Sequence, residues 1–547
     1  MTEMITRKEW KRYGIAAIIC GILFTLLEIV PMIVSVQDHP YGGKVVDKEI
    51  VLERAVSFAE ESTGYDVRDE KAVHQSDKLF SGYLSKEKLS QKFEKEYGVN
   101  FPTDTFQVNL RFADRKGTGF VYLNMYTGSV VAWNFNLREG DTVAEQEQRE
   151  LLQQYLQNKP LPGSSPSDLT LNNKGEWSLT ANGVPSIVGE ADLHVSFKVQ
   201  SVDGEPIITK YKPTFEVPAS YKSYVSGQDK LAGWLTGIGY ALMSVILGIL
   251  AIVYAILYRK FTSFKYGWVL TVIFTIAYVI MNVGVIDGLI ASQGEAPFDD
   301  SILLVTMVIT VLVSIPMAAS VYLSIVAGDG LWKAQGRQLW PRLGQPGYGD
   351  YVWKSMGLSY LFAIILLGIQ PLLFRLLEVL IGTWGTSDVT MSPYNFSVLW
   401  LMPVLAWAAA ISEEAVFRFF GIGLFRKWFR NTFAAAILPT LFWSLGHVMY
   451  PFYPSTTRLF ELMVVGLLFS FIFVRYGFIT AMFTHAIFNS IAVGSSLIMV
   501  GGAANITSAI FFVLLPVLIA YVLRFWDRRK KRTNPSIMST VRPLEPQ

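Results

Sequence analysis

Two adjacent carboxylates interrupt an apolar run at Ile411-Ser412-Glu413-Glu414-Ala415-Val416-Phe417-Arg418. Neighbouring carboxylates in a low-dielectric setting cannot both ionise cheaply, which makes one of them a candidate general acid or base. Arg418 follows Glu414 by four residues, so on a helix its guanidinium falls on the face of Glu414. Glu414 is then the paired, structural carboxylate, and Glu413 is left less compensated. The plainer alternative is a helix end that carries charge at the membrane surface. The chain has only five histidines, and two of them, His447 and His485, fall in apolar runs. Either imidazole alone reads equally as a packed, hydrogen-bonded residue. His485 and Asn489 are one helical turn apart, and an imidazole beside an amide can hold an oxyanion. Taken together the set points to hydrolysis: Glu413 and His447 hold and deprotonate a water, and His485 with Asn489 stabilises a tetrahedral oxyanion. No serine is comparably placed beside a base, and no His-Glu-x-x-His zinc helix occurs. A zinc held by His447, His485 and Glu413 stays open chemically, since three N/O ligands plus water make a catalytic site.

The elements that must position these groups are membrane helices. The chain of 547 residues is 51% hydrophobic and only 17% charged, against about a quarter charged in soluble proteins. A soluble enzyme is thereby excluded. Ten apolar segments are each long enough to cross a ~30 Å hydrocarbon core. The first, Tyr13 to Val36, follows Arg7, Lys8, Lys11 and Arg12; it exceeds a signal-peptide core and reads as a retained anchor. The others begin near Leu231, Tyr266, Ser301, Ser355, Ser397, Thr432, Leu459, Phe478 and Ile506. Lys and Arg collect in alternate loops, among them Arg259-Lys260, Lys333 to Arg342, Arg426-Lys427 and Arg475, which predicts that both termini are cytoplasmic. The seventh segment, Thr432 to Tyr450, carries His447, and Pro439 could kink it. At 1.5 Å per residue Glu413, His447, His485 and Asn489 fall at overlapping depths, which favours one shared site. The single cysteine, Cys20, excludes disulfides within the chain and cysteine-based metal cages. The tail Arg528 to Arg532 suits anionic headgroups, although a simple stop signal is the better account. A net charge of +3 without a basic arm gives no sign of a nucleic-acid partner.

The expected organisation is an anchor over residues 1–36, an extracytoplasmic α+β domain over 37–230, helices two to five over 231–395, a catalytic core in helices six to ten over 396–523, and a basic tail over 524–547. Within the polar domain, 51–61 and 145–157 have helical periodicity. Phe106, Val108, Leu110 and Phe112 alternate with polar residues as in a half-buried strand. Hairpins turn at Tyr126-Thr127-Gly128 and Asp203-Gly204, and two helix-plus-sheet units in tandem are expected. His39, His74 and His194 stand without visible partners and read as solvated surface.

The motifs Glu413-Glu414-x-x-x-Arg418, Trp443-x-x-x-His447 and His485-x-x-x-Asn489 resemble those of the CPBP family, the type II CAAX prenyl endopeptidases and bacteriocin-processing proteins. The resemblance covers about Trp400 to Ala492. Trp443 is a departure, since the family usually has Phe there. The resemblance implies an intramembrane protease in which Glu413 and His447 activate water, His485 and Asn489 are oxyanion partners, and Glu414 and Arg418 support them. It also leaves two versions of the chemistry, a metalloprotease and a metal-free glutamate protease; the lack of a zinc helix favours the second. The hairpin Val121 to Val131 resembles the strand-turn-strand of PepSY-type domains.

The leading expectation is an endopeptidase in a polytopic α-helical membrane protein, acting on membrane-associated peptides or proteins, with its site open to the cytoplasmic side. The rival is a non-catalytic receptor or transporter-like protein that uses the same polar cluster to bind ions or protons. The plasma membrane is the expected location. Glu28, Asp287, Arg375, Glu378 and Glu461 match no motif, and Arg375 is expected to pair with Glu378.

Overall fold

The computed structural model describes residues 5–37, 43–138, 143–173, 175–181, 187–296 and 300–533. His39 and the tail beyond residue 533 lie outside the described residues.

A polar domain follows the first helix. The helix Lys48–Thr63 starts at Asp47 and stops at Gly64, whose φ of 70° suits glycine. Val51, Ala55, Ala59 and Thr63 form its buried stripe. Strands β1 (Val67–Ser76), β2 (Asp104–Phe112), β3 (Gly117–Asn124) and β4 (Val130–Leu137) form an antiparallel meander. The β3–β4 turn is fixed by Asn124, whose Oδ1 accepts from the backbone N–H groups of Tyr126 and Thr127, and by Gly128 at φ 67°. Strands β5 (Thr170–Leu171), β6 (Trp177–Thr180), β7 (Ile187–Val188), β8 (Ala191–Val202) and β9 (Glu205–Glu216) follow the helix Glu145–Asn158. Asp203 and Gly204 both have positive φ, the requirement of a two-residue hairpin that matches strand twist. The two expected units are not separate: β4 pairs with β9, giving one nine-stranded sheet in the order β1-β2-β3-β4-β9-β8-β6-β5, with β7 on β8. That pairing joins residues 76 to 78 positions apart, as in Trp133 opposite Tyr211, and local patterning carries no trace of it.

Among the described residues, eight helices are long and apolar enough to cross a bilayer, or nine if Trp268–Gly284 and Ile286–Ser292, bent by 40°, form one span. The chain is an integral membrane protein. The seventh expected segment, Thr432 to Tyr450, is the short helix Thr432–Leu445. Its 14 residues measure about 21 Å, less than a straight crossing needs.

Loops expected on one side gather on the sheet. Gln75 and Gln107 side chains donate to the carbonyls of Ala291 and Gly294. Lys212, Tyr122 and Asn134 donate to Glu295 at 2.6, 2.8 and 2.6 Å. Asp287 pairs with Lys71 at 2.6 Å. His74 is not solvated surface: it is buried, with Nδ1 2.7 Å from Ser392 Oγ and Nε2 3.0 Å from Asp104 Oδ1. Its backbone exchanges two hydrogen bonds with the Asn395 side chain, 321 residues away. The 389–395 loop covers the end of β1, a contact at a sequence distance no local pattern reports. His194 has Thr180 and Glu216 beside it. The basic loops meet at the other ends of the helices, where Arg426 donates to Gln335, Arg337 to the carbonyl of Val474, and Arg475 to Glu9.

Candidate active site

The helix Leu399–Phe429 changes pitch at the carboxylates. Val404–Glu413 is α-helical, Glu414–Ile422 is a π-helix and Gly423–Phe429 is α-helical again. Such widened turns recur at functional sites because they turn side chains out of the regular repeat. Glu414 and Arg418 are fully buried and lie 3.2 Å apart, carboxylate to guanidinium, as their spacing predicts. Their alignment is not that of a hydrogen bond, and the four nitrogen and oxygen atoms Glu414 Oε2 and Arg418 Nε, Nη1 and Nη2 have no hydrogen-bond partner among the described residues. Arg418 is instead sandwiched between rings, 4.1 Å from the Trp443 centroid and 5.4 Å from that of Phe469.

The second motif lies on Thr432–Leu445, which Asn431 caps by accepting from Ala434 N–H. Trp443 is buried and its indole N–H donates to Glu413 Oε2. Room for this large ring comes from Gly466, where a Cβ would stand 2.8 Å from the Trp443 ring. His447 is not in the helix. The helix ends at Leu445, Gly446 lies against the Tyr240 ring, and His447 sits in the following turn, half-buried. Its Nδ1 donates to the Trp443 carbonyl at 2.9 Å, which leaves Nε2 uncommitted. Its ring packs against that of Trp443, centroids 5.1 Å apart, beside the indole that donates to Glu413.

The third motif lies on Phe478–Val500. His485 is buried, with Nδ1 2.9 Å from Glu414 Oε1 and Nε2 3.8 Å from Glu413 Oε2. Because a carboxylate accepts, Nδ1 carries the proton and Nε2 faces Glu413. Phe469 packs on the imidazole with ring centroids 4.8 Å apart. Asn489 is half-buried one turn further along.

Three expected motifs on three helices therefore meet around Glu413, with Trp443 on one side and His485 on the other. Two contacts have no sequence counterpart: the bond from His485 to Glu414, and the donor that Trp443 supplies where Phe has none. Of the other charges, Arg375 pairs with Glu378 at 2.9 Å as expected, while Glu461 takes Arg458 at 2.8 Å and Gln370 at 3.0 Å. Among the described residues no three His, Cys, Asp or Glu side chains are grouped to hold a metal, and the trio His447, His485 and Glu413 does not converge in that way.

Residues 395–491 match the family model described as type II CAAX prenyl endopeptidase Rce1-like. The match covers less than a fifth of the chain and contains all seven motif residues, over the stretch on which the CPBP resemblance rests. Comparison with curated proteins and with solved structures finds no match. The chain is thus a polytopic helical membrane protein in which residues 395–491 are similar to a family of membrane proteases, and that similarity points to a hydrolase acting on peptides at the membrane.

Proposed function

We propose that this protein is an intramembrane endopeptidase of the metal-free glutamate type. The observation that carries the reading is the convergence on Glu413: an indole donor on one oxygen, an imidazole nitrogen 3.8 Å from the same oxygen, and a second histidine whose Nε2 is free. Glu413 takes a proton from a water that His447 Nε2 orients. The hydroxide oxygen attacks the peptide carbonyl, and the tetrahedral oxyanion is met by the Asn489 amide and by His485. With Nδ1–H committed to Glu414, His485 donates to the oxyanion from Nε2 when both of its ring nitrogens carry a proton. Collapse of the intermediate breaks the C–N bond, and the proton held by Glu413 passes to the leaving amine. An oxyanion donor of this kind contributes about 3–4 kcal/mol and a positioned base about 10²–10⁴-fold. Glu414 and Arg418 hold His485 and the helix in place. No step is routed through zinc.

The basic loops support a topology with both termini cytoplasmic and the sheet domain outside. Our reading also puts the protein in the plasma membrane and divides it at 36, 230, 395 and 523. The substrate is a peptide or protein in or near the bilayer.

The test is cleavage of a peptide library by purified protein in detergent, wild type beside Glu413→Gln, with and without a strong zinc chelator. Cleavage that Glu413→Gln abolishes and chelator spares supports the reading. Loss with chelator and recovery with zinc replaces it by a metalloprotease. A folded wild-type protein that cuts nothing favours the rival, an ion- or proton-binding membrane protein.

A further inference from the structure

A cavity of about 830 Å³ lies between one face of the sheet and the loops that join the helix ends beneath it. That volume suits an organic ligand or a short stretch of chain. Its wall on the sheet side takes Thr105 and Gln107 from β2 and the run Lys212 to Phe215 from β9. On the opposite side lie Ser387 to Met391 and, four residues or fewer from His447, Met449 and Pro451.

The chemistry of the lining narrows the occupant. Every charged side chain in it is already engaged: Lys78 with Asp229, Lys212 with Glu295, Asp77 with the backbone of Leu79 and Phe80, Asp388 with that of Thr390. Both lysines are matched by a carboxylate, so no cation is left over to recruit a phosphate; Asp77 and Asp388 keep their charge, but each is turned back onto backbone N–H groups two or three residues along. What remains is apolar and neutral-polar. Phe80 and Phe215 stack at 4.8 Å with Phe101 edge-on to Phe215, while Asn100, Thr105 and Thr390 have side chains that bond to no described residue. Aromatic surface beside uncommitted amides and hydroxyls is the environment that accepts polypeptide backbone with uncharged side chains.

Position supplies the second observation. Met449 is 65% exposed and stands two residues after His447, a reach of at most ~7 Å along the chain. Tyr450 packs on the His447 ring at 5.4 Å. The floor of the cavity is thus the same turn that holds the free imidazole nitrogen.

We infer that this cavity binds a neutral, extended segment of polypeptide, the part of the substrate that flanks its membrane-embedded portion on the side of the sheet domain, and leads it past Met449 to His447 and Glu413. The inference rests on the endopeptidase reading. It places the entrance at the domain side, opposite to the cytoplasmic opening expected from the sequence, and it gives the domain a part in substrate selection.

Two experiments test it, one of which needs no turnover. The first compares a peptide cleaved in the library with the same peptide extended by six uncharged residues at either end. Wild type is expected to cleave one extended form with a KM lower by about tenfold, the yield of burying one or two side chains. Thr390→Trp, which fills the cavity, abolishes that advantage and leaves kcat and the short-peptide KM unchanged. Val131→Phe serves as a second filling variant should Thr390→Trp fail to fold. In the second experiment the extended peptide carries a benzophenone in its extension and is irradiated with the Glu413→Gln protein. Crosslinks are expected at 100–107 and 387–391, and Thr390→Trp removes them. Equal KM for all lengths, an equal effect of the filling variants on short and long peptides, or crosslinks confined to the basic loops overturns the inference. Crosslinks at 100–107 without cleavage by wild type overturn the endopeptidase reading and the entrance role while retaining the polypeptide site.

Discussion

Replacing Arg418 by Met removes a guanidinium sealed between Glu414, Trp443 and Phe469, and leaves a carboxylate in the membrane core with only His485 for company. The size of the effect follows from the geometry. Unit charges 3.2 Å apart attract by about 5 kcal/mol at an effective dielectric of ~20. A desolvated contact with an indole face adds about 2 kcal/mol. Release of the guanidinium from its own desolvation returns several kcal/mol, so the expected net loss is about 3–5 kcal/mol, the range for breaking one side of a buried pair. In a chain of this size that lowers the unfolding temperature by roughly 3–4 °C. The assay is thermal unfolding in one fixed detergent, followed by tryptophan fluorescence, and it requires no substrate. The decisive comparison is Glu414→Gln with Arg418→Met. The amide oxygen of the substituted side chain still accepts from His485, and neither buried charge remains, so the double variant should recover at least about 2 kcal/mol relative to the sum of the single losses. An Arg418→Met protein that melts at the wild-type temperature, or a double variant that merely adds the two losses, refutes the account of this pair.

Trp443→Phe keeps the packing but deletes the donor to Glu413; kcat should fall about tenfold with KM nearly unchanged, measured on the best library peptide. Gly466→Ala drives a methyl into Thr440 Cγ2 and the Trp443 ring and should destabilise by about 1–3 kcal/mol, and adding Trp443→Phe should relieve the part owed to the ring in the same melting assay. Glu295 is opposed by burial, but the Lys212 charge and hydrogen bonds from Lys212, Tyr122 and Asn134 outweigh it and hold its carboxyl below the ordinary value. The stabilisation it gives is therefore complete above about pH 4.3 and is lost as pH falls through the lower folded value. Limited proteolysis of the 293–296 loop should accelerate in that acidic window for wild type, and Glu295→Gln should remove the pH dependence. His74→Ala should loosen the contact of β1 with the 389–395 loop, read as faster amide exchange at Asn395 than in wild type.

The sequence carries most of the site because its motifs are short-range. Glu414 and Arg418 are one turn apart, and so are His485 and Asn489, so helical spacing alone pairs them. What it could not carry depends on partners far along the chain. The end of the Thr432 helix before His447 is set where Gly446 meets Tyr240, some two hundred residues earlier. The tryptophan at 443 reads as mere bulk until Glu413 is beside its N–H, and the space for it is made by Gly466 on another helix. Hairpins at Gly128 and Asp203-Gly204 are local and legible; the β4–β9 pairing that fuses them into one sheet is not. His74 shows the same division, since its acceptors come from its neighbour strand and from a loop more than three hundred residues away.

The fastening of the sheet to the helix ends also orders the protein's assembly. The last strand of the sheet ends at Glu216, so the sheet can pair internally once that much chain has emerged. The groups that cover its buried polar face come later: Asp287 and the 291–295 carbonyls first, then Ser392 and Asn395. Until those loops have been made and set against the sheet, Lys71, Gln75 and Gln107, and longest of all His74, remain hydrated. The domain is thus formed early and docked late, and a chain halted before residue 287 would present this wet face to whatever assists its folding.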